Sequence, residues 1–228
     1  KNSNKLYDFI KSDQGILRSN PEAFFAKKIV LCEGATEVGI VRGINNYNYK
    51  NNDFRFSNNG VRYLDCGGDS KIKDCLNMLI NKEYDVLVFC DSDNDINPKV
   101  KELKQFIKDK SIDSIQCESG KAIENQIFTD LNFETIKKIF ELELLEDKNS
   151  IKDSIKSNYI GASWNDDFLS NDNLEIRNAF GISSNKNKWI KRIDMGTSVG
   201  ELCMGSLNEF KDKHLYKMLT SINDWASK

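Results

Sequence analysis

The stretch "LVFCDSDND" carries three carboxylates at alternate positions, Asp91, Asp93 and Asp95. Two like charges about 4 Å apart cost roughly 1–4 kcal/mol, depending on the local dielectric. A chain that crowds them either leaves them in water or uses them to hold a cation. Further acids fall at comparable places. Glu33 closes the apolar run "KKIVLCEG", and Glu37 follows it by four residues. One helical turn separates that pair, so both can face one point. Glu124 lies in "GKAIENQI". If the segments ending at Glu33 and Asp91 are neighbours, the pocket between them holds an all-oxygen ligand set, which suits hard divalent ions such as Mg²⁺ or Mn²⁺. In an extended segment Asp91 and Asp93 point to the same side. Residues 91–102 also score as a calcium loop, with Asp91, Asp93, Asp95 and Glu102 at ligand positions. However, Ile96 stands where that loop needs Gly, and the preceding "DVLVF" reads as strand. Singly, Glu33 reads as a helix N-terminal acid and Glu124 as a solvated helix residue. The constellation is harder to dismiss than its members.

The residue inventory excludes other chemistries. His214 is the only histidine, and none of the six cysteines forms a C-x-x-C pair, which argues against a zinc site and a Ser-His or Cys-His triad. Cys32, Cys90 and Cys117 end apolar runs, as small buried thiols do. No run of eighteen apolar residues and no signal-peptide pattern occurs. Together these read as a cytoplasmic protein with reduced thiols and no membrane partner. The chain opens on Lys, which reads as a piece of a longer protein. The net charge of −2 does not advertise nucleic-acid binding, although carboxylates that hold metal inflate the negative tally. Lys186, Lys188, Lys191 and Arg192, with Trp189 among them, form the best basic patch. It reads equally as a phosphate-contacting surface or a solvated loop.

The elements that must position these residues alternate. Strands are expected at 27–34, 60–68, 84–91 and 112–120, with helices at 34–47, 69–82, 97–110 and 121–128 between and after them. Asp69 is the expected N-cap of the second helix. Asn97 and Pro98 open the third. Such alternation implies an α/β fold with a mainly parallel sheet flanked by helices, its chemistry gathered outside the strand C-termini. Beyond residue 130 the pattern implies a mostly helical C-terminal extension. Helices are expected at 132–145, 150–163 and around "NLEIRNAFG", followed by a polar break at "ISSNKNK". A helix opens near a Ser198/Glu201 capping box, and a last one carries His214 to Ile222. Three units follow: a helical lead-in at 1–26, a catalytic core at 27–130 and the extension at 131–228.

The order "VLCEGATE", "DCGGDSK", "VFCDSDND" resembles the TOPRIM domain shared by topoisomerases, primases and several nucleases. The E-G-x-T-E form with "FFAKKIVLCEG" is similar to the overcoming-lysogenisation-defect (OLD) nucleases. The resemblance covers residues 22–128 and implies a Rossmann-like TOPRIM sheet. It implies that Glu33, Glu37, Asp91, Asp93 and Glu124 hold two Mg²⁺ or Mn²⁺ ions, with Glu33, Asp91 and Asp93 central to catalysis. It also implies a catalytic lysine, for which "NKNKWIKRIDMG" offers Lys188 and Lys191; "WIK" favours Lys191. Gly34, Gly67 and Gly68 would turn the backbone beside the pocket. In that family an ATPase domain precedes the TOPRIM part. No G-x-x-x-x-G-K-[ST] occurs here, so the ATPase is expected upstream in the full-length protein. The resemblance implies metal-dependent DNA cleavage in antiphage defence or DNA repair, with DNA held by Lys186, Lys188, Lys191 and Arg192, and a possible homo-oligomer. The alternatives are a primase- or topoisomerase-like module and a non-catalytic TOPRIM module for assembly or DNA binding. A glycosyltransferase-type D-x-D leaves the E-G-x-T-E segment unexplained.

Overall fold

The computed structural model describes residues 21–51, 53–94, 96–145 and 147–228. Asp95 and most of the expected lead-in lie outside the described residues. Four strands, β1 (Lys28–Cys32), β2 (Val61–Asp65), β3 (Asp85–Cys90) and β4 (Asp113–Gln116), form one parallel sheet in the order β2-β1-β3-β4. The two central strands read as unbroken apolar runs because both of their faces are covered. Val30, Cys32, Leu87 and Phe89 point to one hydrophobic cluster. Ile29, Leu31, Val86, Val88 and Cys90 point to the other.

Helices α1 (Ala35–Lys50), α2 (Asp69–Asn81), α3 (Pro98–Asp109) and α4 (Ile123–Asp130) follow the strands in turn. The smaller cluster lies under α2 and α3, through Ile72, Cys75, Leu76, Leu79, Leu103 and Ile107. The larger one takes α1, α4 and the extension. The extension comprises α5 (Phe133–Glu141), α6 (Lys148–Asn158), α7 (Leu174–Asn187), α8 (Ile193–Gly205) and α9 (His214–Ser227). Among the described residues no helix is long and apolar enough to cross a membrane.

Four local expectations are corrected. Asp69 is not an N-cap; Gly68 holds that position at φ 116°, and Asp69 sits in the first turn of α2. The fourth strand covers only four residues, because the chain leaves the sheet at Cys117 to build the loop before α4. "ISSNKNK" is helical as part of α7: Ser183 and Ser184 are buried, and Ser183 meets Asn158 of α6 at 3.2 Å. Ser198 opens no helix. It lies inside α8 with its hydroxyl donating back to the Asp194 carbonyl, while Glu201 accepts from Asn46 of α1. Asn97 does cap α3, accepting from the Lys99 N–H at 3.0 Å, with Pro98 next to it.

Where α1 of the core crosses α8 of the extension, backbone meets backbone. Gly39 and Gly43 on α1 face Gly196 and Gly200 on α8. A Cβ placed on Gly39 would lie 2.6 Å from Gly196 Cα and 2.7 Å from the Ile193 carbonyl oxygen. One on Gly200 would lie 2.7 Å from the Ile40 carbonyl oxygen. Helices without side chains at their crossing can approach more closely than the usual 8–10 Å.

Candidate functional site

The sheet order makes β1 and β3 neighbours, so Glu33 and Asp91 leave adjacent strand ends at the point where the strand order reverses. Glu33 continues the ladder, its N–H donating to the Phe89 carbonyl at 3.1 Å. Its own carboxylate accepts the Asp91 N–H at 3.1 Å. Asp91 Oδ1 in turn accepts the N–H of Ile123, the first residue of α4, at 2.6 Å. The far end of α4 is clamped by Arg177 of α7, whose Nη1 donates to the Leu131 and Thr129 carbonyls at 2.6 and 3.1 Å. A cation at a helix C-terminus is favourable. Held at both ends, α4 sets the position of Glu124.

The first acidic motif winds into α1. Glu37 Oε2 accepts the Gly34 N–H at 3.1 Å, and the side chain is 4% exposed. Thr36 donates to Glu124 Oε1 at 3.0 Å. Glu124 is fully buried, and its Oε2 has no hydrogen-bond partner. Lys191 Nζ stands 3.8 Å from that oxygen, an ion pair just outside hydrogen-bond reach. Glu33, Asp69, Asp91 and Asp93 line one small pocket, together with Asn94 and Lys104. Asn94 also donates to Asp69 at 3.3 Å. A larger cleft of about 350 Å³, lined by Glu22, Asn45, Arg62 and Tyr63 among others, shares no residue with this site.

The five expected metal-binding acids are therefore brought to one place, but they do not form a ready cage. Among the described residues no group of three His, Cys, Asp or Glu side chains stands arranged to hold a metal ion. The expectation that Glu33, Asp91 and Asp93 meet at one point is corrected to that extent. Glu33, Glu37 and Asp91 each spend one carboxylate oxygen on a main-chain N–H. The donor set still fits a divalent cation. It is all carboxylate oxygen, and it contains the orphaned Glu124 Oε2, which burial leaves without water or a donor.

The protonation behaviour follows from the crowding. Burial pushes Glu37 up to about 8, with Glu124 and Glu33 adding repulsion. Asp91 is held well above the usual carboxylate range by burial and then by Glu37, Glu33, Glu124 and Asp93. Glu33 is raised by burial, and Glu124 likewise, although Lys191 and Thr36 pull Glu124 back down. The folded chain thus keeps protons that an unfolded chain would release. The stability that Glu37 contributes in this way is complete below about 4.5, the ordinary Glu value, and is lost as pH rises through about 8. In EDTA, the thermal midpoint is expected to fall between pH 5 and 8, and a divalent cation is expected to flatten that fall. A level or rising midpoint in EDTA would contradict a buried, self-repelling cluster.

The basic residues divide. Lys191 reaches the acids. Lys186 donates to Asn158 at 2.8 Å, and Arg192 pairs with Asp194 at 2.6 Å, while Lys188 is exposed at the left-handed end of α7. Trp189 is half-buried. Its ring packs 5.4 Å from Phe128 and 5.5 Å from Phe140. Two residues of the site escaped sequence reasoning. Asp69 was legible only as a helix-start acid. Thr36 lies inside the E-G-x-T-E segment, but its partner is 88 residues away.

Residues 24–93 match the family model described as overcoming lysogenization defect protein-like, TOPRIM domain. The C-terminal region of the Xanthomonas campestris pv. campestris OLD protein shares the fold at 16% identity and a TM-score of 0.53, covering 90% of this chain and 96% of that chain. The C-terminal region of the Burkholderia pseudomallei OLD protein does so at 14% identity and a TM-score of 0.50, covering 89% and 99%. No curated protein matches the chain significantly. TOPRIM domains generally bind divalent metal ions, which agrees with the donor set described. The strand order, the acids at the β1 and β3 ends and the match over 24–93 agree: residues 24–93 are similar to the OLD-like TOPRIM domain, and the chain has the fold of OLD C-terminal regions.

Proposed function

We propose that the chain is a metal-dependent endodeoxyribonuclease module, nicking or cleaving DNA with two Mg²⁺ or Mn²⁺ ions. The observation that carries the reading is the buried carboxylate cluster in which Glu124 Oε2 lacks a donor and Lys191 stands beside it. Glu33, Glu37, Asp91, Asp93 and Glu124 are the residues that would hold the ions. The chemistry a pair of divalent ions supplies at such a site is activation of water and neutralisation of charge on phosphoryl oxygens. Lys191 is half-buried, and its ammonium is placed to stabilise negative charge that develops at a phosphate drawn against the acids. Lys188 and Lys186 offer phosphate contacts along the approach, and Arg192 can do so once it leaves Asp194. No side-chain nucleophile is required.

In this reading an ATPase domain lies upstream in the full-length protein, homo-oligomers are possible, and the role is antiphage defence or DNA repair. All six cysteines are buried, as reduced core thiols are, which supports a reducing, cytoplasmic setting. The test is incubation with supercoiled plasmid and Mg²⁺ or Mn²⁺, against an EDTA control. Relaxed or linear product that depends on the metal is expected. Intact plasmid with both metals, for the chain alone and for the full-length protein, would reject the nuclease reading in favour of a binding module.

A further inference from the structure

Thr36 occupies a position that its neighbours define tightly. It sits in the first turn of α1, between Glu33 and Glu37, and is 3% exposed. Its hydroxyl donates to Glu124 Oε1 at 3.0 Å across 88 residues of chain. Its own carbonyl oxygen lies against α8, where a Cβ on Gly196 would approach it to 2.9 Å. The Thr36 peptide therefore has little room to shift. Glu124 is held by one oxygen from α1. The other oxygen is left without a hydrogen bond and has Lys191 at 3.8 Å. A carboxylate free to rotate in a buried site would seek a donor for both oxygens. Here one bond fixes its orientation and leaves Oε2 presented.

We infer that Thr36 is the positioning residue for Glu124, its hydroxyl holding the carboxylate so that Oε2 is offered to a hard divalent cation. The inference rests on the metal-binding reading proposed above and adds the group that orients the ligand. Hydrogen bonds to a ligand's other oxygen, made from outside the coordination shell, commonly carry about 10–100-fold in metal affinity. A threonine that merely fills the core would contribute to folding and leave affinity alone.

The experiment is Mn²⁺ titration of the 228-residue chain by calorimetry, with thermal melts in EDTA alongside. Thr36→Val keeps the shape and removes the hydroxyl; it is expected to weaken Mn²⁺ binding by tenfold or more. Thr36→Ser keeps the hydroxyl and is expected to bind like the parent chain. In a Glu124→Gln background, Thr36→Val is expected to change affinity no further, because the residue it orients is gone. If valine prevents folding, Thr36→Ala carries the same comparison. Parent-like affinity in the folded variant without the hydroxyl overturns the inference, as does an equal loss with and without Glu124. A parent chain that binds no Mn²⁺ overturns the metal reading, and this inference with it.

Discussion

Asp91→Asn is expected to lower metal-dependent DNA cleavage on the order of a thousandfold or more, while leaving the metal-free fold intact. Removing a single oriented electrostatic group from an active site commonly costs about 10²–10³ in rate. Asp91 is proposed to be a ligand as well, so the loss should lie at or above that range. Asparagine is the informative replacement. It keeps an oxygen to accept the Ile123 N–H, now made at 2.6 Å, so α4 stays capped. It also removes the ionisable group that Glu37, Glu33, Glu124 and Asp93 already crowd. Relief of one such contact is of order 1–4 kcal/mol at about 4 Å. The thermal midpoint in EDTA at pH 8 should therefore hold or rise. Nicking rates and melts on the same sample separate the two effects. A variant that cuts at the parent rate removes Asp91 from the site. One that loses cleavage only because it unfolds shows Asp91 to be a helix cap instead.

The second large effect concerns α1 and α8. Gly39→Ala gains about 1 kcal/mol in helix propensity. It also drives a methyl to 2.6 Å from Gly196 Cα and 2.7 Å from the Ile193 carbonyl oxygen. Both are backbone atoms, so the helices must separate. Overpacking a tight contact costs about 1–3 kcal/mol where side chains can yield. With no side chain to yield, a net loss of about 2–4 kcal/mol is expected, and Gly196→Ala should behave alike. Gly205→Ala is the control. Its methyl would meet only Tyr47 at 3.7 Å, an ordinary contact, so propensity should prevail and stability should stay level or improve. Urea titrations of the three variants decide the matter, and a harmless Gly39→Ala would mean that the crossing is looser than described. Because Lys191 lies two residues before α8, the same substitution should also reduce cleavage in protein that remains folded.

Much of this arrangement was legible from residue order. The β-branched runs ending at Glu33 and Asp91 mark central strands, since only a strand covered on both faces is apolar throughout. Their adjacency follows from strand order, which alternation suggests but does not determine. Glu37 and Glu124 were legible as helix residues, and they lie in the first turns of α1 and α4. What stayed hidden depends on contacts distant in sequence. Polar "ISSNKNK" looks like a break until Ser183 meets Asn158 and the helix packs over it. Ser198 and Glu201 have capping-box spacing, yet Glu201 is engaged with Asn46 on another helix. Gly39, Gly43, Gly196 and Gly200 carry no periodic hydrophobic signal at all. Only their pairing gives them meaning.

That pairing also orders events in time. Glu33 and Lys191 are separated by roughly 160 residues, and α1 finds its partner helix only after α8 has been made. At ribosomal speeds of about 5–20 residues per second, Glu33 waits roughly 8–30 s for the lysine that faces the acids. Until then the groove along Gly39 and Gly43 is open and Glu124 has no ammonium beside it. A nascent chain of this protein is thus acidic at its strand ends but unfinished, and the site is completed close to the end of synthesis of these 228 residues.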